Sequence, residues 1–145
     1  MPLRASEIKP GQTFEKVLVE DLKRTQIVQY AGASGDYNPL HTDEVFATKV
    51  AGYPTVFAHG MLTMGMTGTL LTDTVGDGRL TKFGGRFTSQ VWPGDTLTVR
   101  SSVARIYDGD EGPVAEFTVS TVALPAVNGE DREVLSGYAH ARLAR

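Results

Sequence analysis

"AHGMLTMGMTGTLLTDTV", residues 58–75, contains no proline and carries apolar residues on more than one side, which a helix lying on a surface does not need. The stretch predicts a long helix from about Ala58 to Val75, buried by the rest of the chain. Gly65 and Gly68 each weaken helix propensity by about 1 kcal/mol relative to alanine, so they are expected where the helix approaches another backbone. Met61, Met64 and Met66 are expected in the core, although unbranched thioethers also suit a channel for a flexible chain.

Downstream the pattern changes to sheet. In "GDTLTVRSSVARIY", residues 94–107, Leu97, Val99, Ser101 and Val103 alternate with Thr98, Arg100 and Ser102, the period-two signature of a half-buried strand. "PVAEFTVSTVAL" (113–124) and "EVLSGYAHARLA" (133–144) repeat it. The intervening "YDGDEGP" and "PAVNGEDRE" carry Asp-Gly and Asn-Gly pairs, so these strands are expected to run antiparallel.

Upstream, "KPGQTFEKVLVE" reads as a turn at Pro10-Gly11 followed by a strand. Leu22–Ala33 reads as a helix capped by Asp21, with Leu22, Ile27, Val28 and Tyr30 on one broad face. "HTDEVFATKV" reads as a short helix capped by Thr42 or Asp43. The economical architecture is α+β, one domain over residues 1–145, with a curved antiparallel sheet wrapped around the long helix.

Composition narrows the function. The chain has 145 residues and a formal charge of −3, with no basic patch for a nucleic-acid backbone and no polybasic membrane anchor. It has no cysteine, which removes disulfides, thiol nucleophiles and cysteine-ligated metals. No apolar run reaches the roughly 18–20 residues of a membrane span, and no signal-peptide core opens the chain. The expectation is a cytoplasmic protein that binds neither nucleic acid nor membrane.

Between the first helix and the next lies "GDYNPLH", residues 35–41. Gly35 permits a tight backbone, Asn38 offers a side-chain-to-backbone bond and Pro39 fixes φ, but a turn needs neither the carboxylate of Asp36 nor the imidazole of His41. Folded back on itself, such a loop brings both groups to one site where they can share a water and move its proton. Gly60, near the start of the long helix, can expose a backbone N–H at the positive helix end, where a developing oxyanion is stabilised. The combination suits addition or removal of water beside a carbonyl.

Each group also has a plainer role. Asp36 can cap the turn by accepting the Asn38 N–H, and His41 can bond a loop carbonyl. His59 is expected to pack or bond at the helix entry, and His140 to lie at a surface or interface. Ser34 in "GASG" lacks the spacing of a nucleophile elbow, and "GDGRLT" has Thr81 where a dinucleotide fingerprint needs glycine.

"SGDYNPLH" followed in order and spacing by "FAHGMLTMG" resembles the MaoC-like dehydratases, the (R)-specific enoyl-thioester hydratases of the hot-dog fold. "GGRFTSQVWPGDTLTV" is similar to the family's strand after the long helix, with Gln90 where proline is usual. The resemblance implies a hot-dog fold whose dimers join their sheets with active sites near the interface. It implies that Asp36 and His41 hold a water, add it to Cβ of a trans-2-enoyl thioester and deliver a proton to Cα on the same face, with the Gly60 N–H on the thioester oxygen and with Gly35, Asn38 and Pro39 supporting the loop. The ligand is then an acyl-CoA or acyl-carrier-protein thioester, with no metal or organic cofactor, and the assembly a homodimer or a heterodimer with a homologous hot-dog subunit. Two other readings share the fold: a thioesterase, which places its acid on the long helix, where only Asp73 is available, and a non-catalytic acyl-binding subunit. Lys82, Arg86 and Arg105 are open candidates for carrier phosphates.

Overall fold

The computed structural model describes residues 1–145. Its strands are β1 (Thr13–Val19), β2 (Leu80–Phe87), β3 (Thr96–Gly109), β4 (Gly112–Leu124) and β5 (Arg132–Arg142), and its α-helices are α1 (Arg24–Ser34) and α2 (Gly60–Val75). The strands form one antiparallel sheet in the order β1-β3-β4-β5-β2. α2 lies against β1, β2, β3 and β5, so the sheet wraps the long helix in the hot-dog arrangement.

The core follows from the alternation. Leu97, Val99, Ser101 and Val103 of β3 point inward and are buried, while Arg100 between them is exposed. One apolar cluster joins Leu70, Leu71 and Val75 of α2 to Val99, Val103, Phe117 and Ala139 of the sheet. A second joins Leu22, Ile27, Ala58, Val91, Leu97 and Val134 beneath the loop side of the molecule. Between helix and sheet, the hydroxyls of Thr67 and Thr121 bond at 2.6 Å, pairing two polar groups that burial would otherwise leave costly.

The meander runs antiparallel as expected, but the β3–β4 turn is Asp110-Glu111, with the Asp108-Gly109 pair still inside β3 and Gly109 opposite Gly112; the Asn128-Gly129 loop leads into β5, with Asn128 at φ 33°. Several local expectations need correction. α1 starts at Arg24, not Leu22, because the Gln26 side chain accepts the Lys23 N–H at 2.9 Å; Asp21 stands outside at φ 51° and pairs with the Lys23 ammonium. Val28 faces solvent, so the buried stripe of α1 is Ile27 and Ala31. The segment after His41 ends as a five-residue π-helix, Phe46–Val50, with Asp43 Oδ1 accepting the Phe46 N–H at 3.1 Å. Gly68 faces the ring of Phe83, 3.3 Å from where a Cβ would sit, and Gly65 faces open space, so neither is spent on a backbone approach. Met61 is exposed, while Met66 packs against the second cluster.

Candidate active site

Gly35 ends α1 at φ 77°, a left-handed conformation that glycine adopts without penalty, and its N–H bonds Ala31 O. Two successive side-chain turns follow. Asp36 Oδ1 accepts the Asn38 N–H at 3.2 Å, and Asn38 Oδ1 accepts the Leu40 N–H at 3.1 Å. Pro39 O then accepts the Asp43 N–H at 2.9 Å. The turn-capping role of Asp36 is therefore real, but it occupies one carboxylate oxygen of an exposed residue and leaves the other open.

His41 is buried, and its Nδ1 lies 2.7 Å from the carbonyl of Phe57. A carbonyl only accepts, so Nδ1 carries the proton and Nε2 presents its lone pair. Burial holds the His41 imidazole below its ordinary value of 6.5; the Phe57 bond partly opposes this, the neighbouring His59 adds to it and Asp36 opposes it. His59 is 2% exposed, stacks on His41 with centroids 3.8 Å apart and donates from Nε2 to the main-chain carbonyl of Asp36 at 3.0 Å. Tyr30 also packs against His59, in a T-shaped arrangement with centroids 4.8 Å apart.

One carboxylate oxygen of Asp36 and one nitrogen each of His41 and His59 lie within 4.8 Å of one another, the only grouping of three potential metal ligands in the chain. The ring centroids are 3.8 Å apart and the planes inclined by 25°, so the in-plane lone pairs of the two rings lie in separate, nearly parallel planes, and one nitrogen of each ring is committed to a carbonyl. That geometry suits holding and moving a proton better than holding a cation.

Gly60 is the first residue of α2, and no protein acceptor takes its N–H. It borders a cavity of about 300 Å³ walled by Phe57, Thr63, Phe87, Gln90 and Val91 among others. Asp36 and His41 are not in that wall. Phe57 connects the two parts, its carbonyl holding His41 while the residue also lines the cavity.

Sequence reasoning missed the Phe57 carbonyl, since any residue type supplies one. It anticipated His59 as a residue bonding at the helix entry, but not that the bond reaches back to Asp36. It also missed the clasp under the loop, where Glu44 takes bonds from Arg24 at 2.7 Å and Thr55 at 2.9 Å, holding its carboxyl below the usual range. Asp73 lies ~20 Å along α2 from Gly60 and pairs with Lys16 at 2.7 Å, far from the loop groups. Of the candidates for carrier phosphates, Arg105 is engaged by Glu116 through two bonds of 2.7 Å.

The chain belongs to the MaoC like domain family, whose sequence model it matches over residues 5–123. It is 46% identical over 68 residues to the 3-hydroxyacyl-thioester dehydratase Y of Mycobacterium tuberculosis, an alignment that covers 45% of this chain and 23% of that protein. The chain thus spans about a quarter of that curated relative's length. Among solved structures, the R-hydratase PhaJ1 of Pseudomonas aeruginosa superposes with a TM-score of 0.80 at 22% identity, over 99% of this chain and 88% of that one. The ChsH1-ChsH2 complex of Mycobacterium tuberculosis matches with a TM-score of 0.69 at 18% identity, over 94% and 98% respectively. No helix is long and apolar enough to cross a membrane.

Proposed function

We propose that the chain is an (R)-specific hydro-lyase interconverting trans-2-enoyl and (R)-3-hydroxyacyl thioesters, with CoA or acyl carrier protein as the carrier, in fatty-acid metabolism. The observation that carries this reading is the convergence of the Asp36 carboxylate and the His41 ring within 4.8 Å, with the Phe57 carbonyl setting the His41 tautomer. Two hydrogen bonds of ~2.8 Å from one water at a tetrahedral angle span about 4.6 Å, so a single water bridges such a pair. Its oxygen adds to Cβ while a proton reaches Cα from the same face. Charge developing on the thioester oxygen is met by the Gly60 N–H at the positive end of α2. Dehydration runs the same steps backwards. Asp36 and His41 are the catalytic residues, Gly60 supplies the oxyanion donor, and Gly35, Asn38 and Pro39 hold the loop. The dehydratase name of the 46%-identical relative supports the assignment.

A second subunit is part of the proposal, either a copy of this chain or a homologous hot-dog chain. β2 is an open sheet edge, its last residue Phe87 is 49% exposed, and Met61 in the first turn of α2 is 56% exposed. Sedimentation of the active species reads this directly; a fully active monomer overturns it. A cytoplasmic location completes the reading, and cell fractionation tests it.

The deciding experiment is a hydration assay across trans-2-enoyl-CoA chain lengths with chiral analysis of the product. The reading expects (R)-3-hydroxyacyl-CoA. Tight thioester binding without turnover would assign the chain as a non-catalytic subunit instead.

A further inference from the structure

α2 contains five threonines, and four of their hydroxyls have partners. Thr67 bonds Thr121 at 2.6 Å, Thr69 bonds Met66 O at 2.6 Å, Thr72 bonds Gly68 O at 3.2 Å and Thr74 bonds Leu70 O at 2.7 Å. Thr63 does not: the residue is 2% exposed, its hydroxyl has no hydrogen-bond partner, and it lines the cavity beside Gly60. A helical threonine has an easy bond available to the carbonyl one turn back, as Thr72 and Thr74 show. A buried hydroxyl that makes no such bond and borders a cavity is unpaired until a polar atom enters that cavity.

The position says which part of a ligand that atom belongs to. Thr63 stands one turn after Gly60 on the same face of α2, ~4.5 Å along the axis, the reach of roughly four carbon–carbon bonds. With the thioester oxygen at the Gly60 N–H, the hydroxyl is level with about C5 of the acyl chain. Of the other lining residues, Val91 and Val134 are apolar and, like Thr63, buried, while Phe87 is half exposed, so the cavity has a buried, closed end and an open one. The pantetheine arm has to leave towards its carrier in solvent, so the closed end belongs to the acyl group. Thr88, exposed beside Phe87, already donates its hydroxyl to Glu133 O at 2.8 Å, which leaves the Thr63 hydroxyl as the unpaired polar group on the buried side of the cavity.

Resting on the hydratase reading, we propose that Thr63 is a specificity residue whose hydroxyl hydrogen-bonds an oxygen substituent on the acyl chain near C5, so that the enzyme selects short, oxygen-bearing enoyl thioesters over plain aliphatic ones. A cavity built to hydrogen-bond a substituent discriminates against the analogue that lacks it, because the protein group is then left unpaired.

The test compares trans-2-hexenoyl-CoA with 5-hydroxy-trans-2-hexenoyl-CoA on the wild type, Thr63→Ser and the near-isosteric Thr63→Val. The wild type is expected to favour the hydroxylated substrate by about tenfold or more in kcat/KM. Thr63→Ser keeps the preference. Thr63→Val abolishes it by losing the hydroxylated substrate alone, and its melting temperature rises because an unpaired buried hydroxyl is gone. Equal ratios in wild type and Thr63→Val overturn the proposal. So does an equal loss on both substrates, which would place the hydroxyl on the shared thioester or its arm. Failure of the wild type to hydrate either compound sinks the hydratase reading instead; calorimetric binding of hexanoyl-CoA and 5-hydroxyhexanoyl-CoA to wild type and Thr63→Val then decides the Thr63 contact separately.

Discussion

The Nδ1–H of His41 donates to the carbonyl of Phe57 at 2.7 Å, and the ring that makes this bond is buried against His59. Burial pulls the His41 pKa below 6.5, so neutral imidazole persists to lower pH than in a free histidine. If neutral His41 is needed to hold the water, the acid limb of kcat/KM that it controls lies below pH 6.5. The same shift acts on stability. Below 6.5 the unfolded chain takes up the proton first, so the contribution of His41 is complete above that value and declines as pH falls towards the folded-state pKa. Melts from about pH 5 to about pH 8 should show this decline, and His41→Gln should flatten it. An acid limb above 6.5 would contradict the assignment.

His59 touches both loop groups, stacking on His41 and bonding the Asp36 carbonyl at 3.0 Å. We expect it to act as a positioning residue. Removing it in His59→Ala frees the Asp36 main chain, and displacement of a reacting group by about 1 Å costs on the order of 100-fold. The loss should fall on kcat with KM nearly unchanged, and His59→Gln, whose amide can still donate, should recover part of it. Wild-type kcat in folded His59→Ala would reduce His59 to packing.

At Gly60, a Cβ would stand 2.9 Å from the ring of Phe87, in Gly60→Ala and Gly60→Pro alike. Phe87 is half exposed and can swing aside. His59 already has the extended backbone that a following proline requires, at φ −59° and ψ 134°, and the first helical position tolerates proline. Both variants should fold. Only Gly60→Pro lacks the N–H, so its kcat should fall about 100- to 1,000-fold below that of Gly60→Ala. Equal kcat in the two would take the Gly60 N–H out of the chemistry.

The cavity wall has its own anchor. Arg132 bonds Asp95 and the carbonyl of Gln90, while Asp95 also accepts the Trp92 N–H at 2.9 Å. The Asp95 side chain is 3% exposed and that of Arg132 25%. Arg132→Met strands a buried carboxylate and should destabilise by about 3 kcal/mol. Asp95→Asn should cost less, because Arg132 can turn to water. Denaturant unfolding of the two variants checks the order, and the reverse order would show that the charge of Asp95 is not the liability.

Legibility followed the physics of each element. β3 was readable because one face of it is buried, so Leu97 and Val99 alternate with Thr98 and Arg100. The loop was readable because Gly35 and Asn38 act through their own side-chain chemistry. β2 shows no alternation: Gly84 and Gly85 sit where a Cβ would meet the Tyr138 hydroxyl at 2.6 Å and Ser136 O at 2.7 Å, a demand set by β5, which is distant in sequence. The start of α1 was misplaced because Gln26 closes it at Lys23, while Asp21 looked the better cap. The tautomer of His41 depends on a main-chain carbonyl, which leaves no trace in residue identity.

The most direct test of the central claim is the steady-state hydration rate of Asp36→Asn. Asparagine keeps an oxygen to accept the Asn38 N–H, so the turn and the fold should survive while the basic carboxylate is lost. General acid/base contributions are typically about 100- to 10,000-fold, and the account predicts a fall in kcat of at least that size with thioester binding retained. His41→Ala should fail similarly, and the double variant should be far better than the product of the two losses, because one proton-transfer unit is lost once. Near-wild-type turnover by folded Asp36→Asn would contradict the account, leaving Asp36 as no more than the residue that closes its turn.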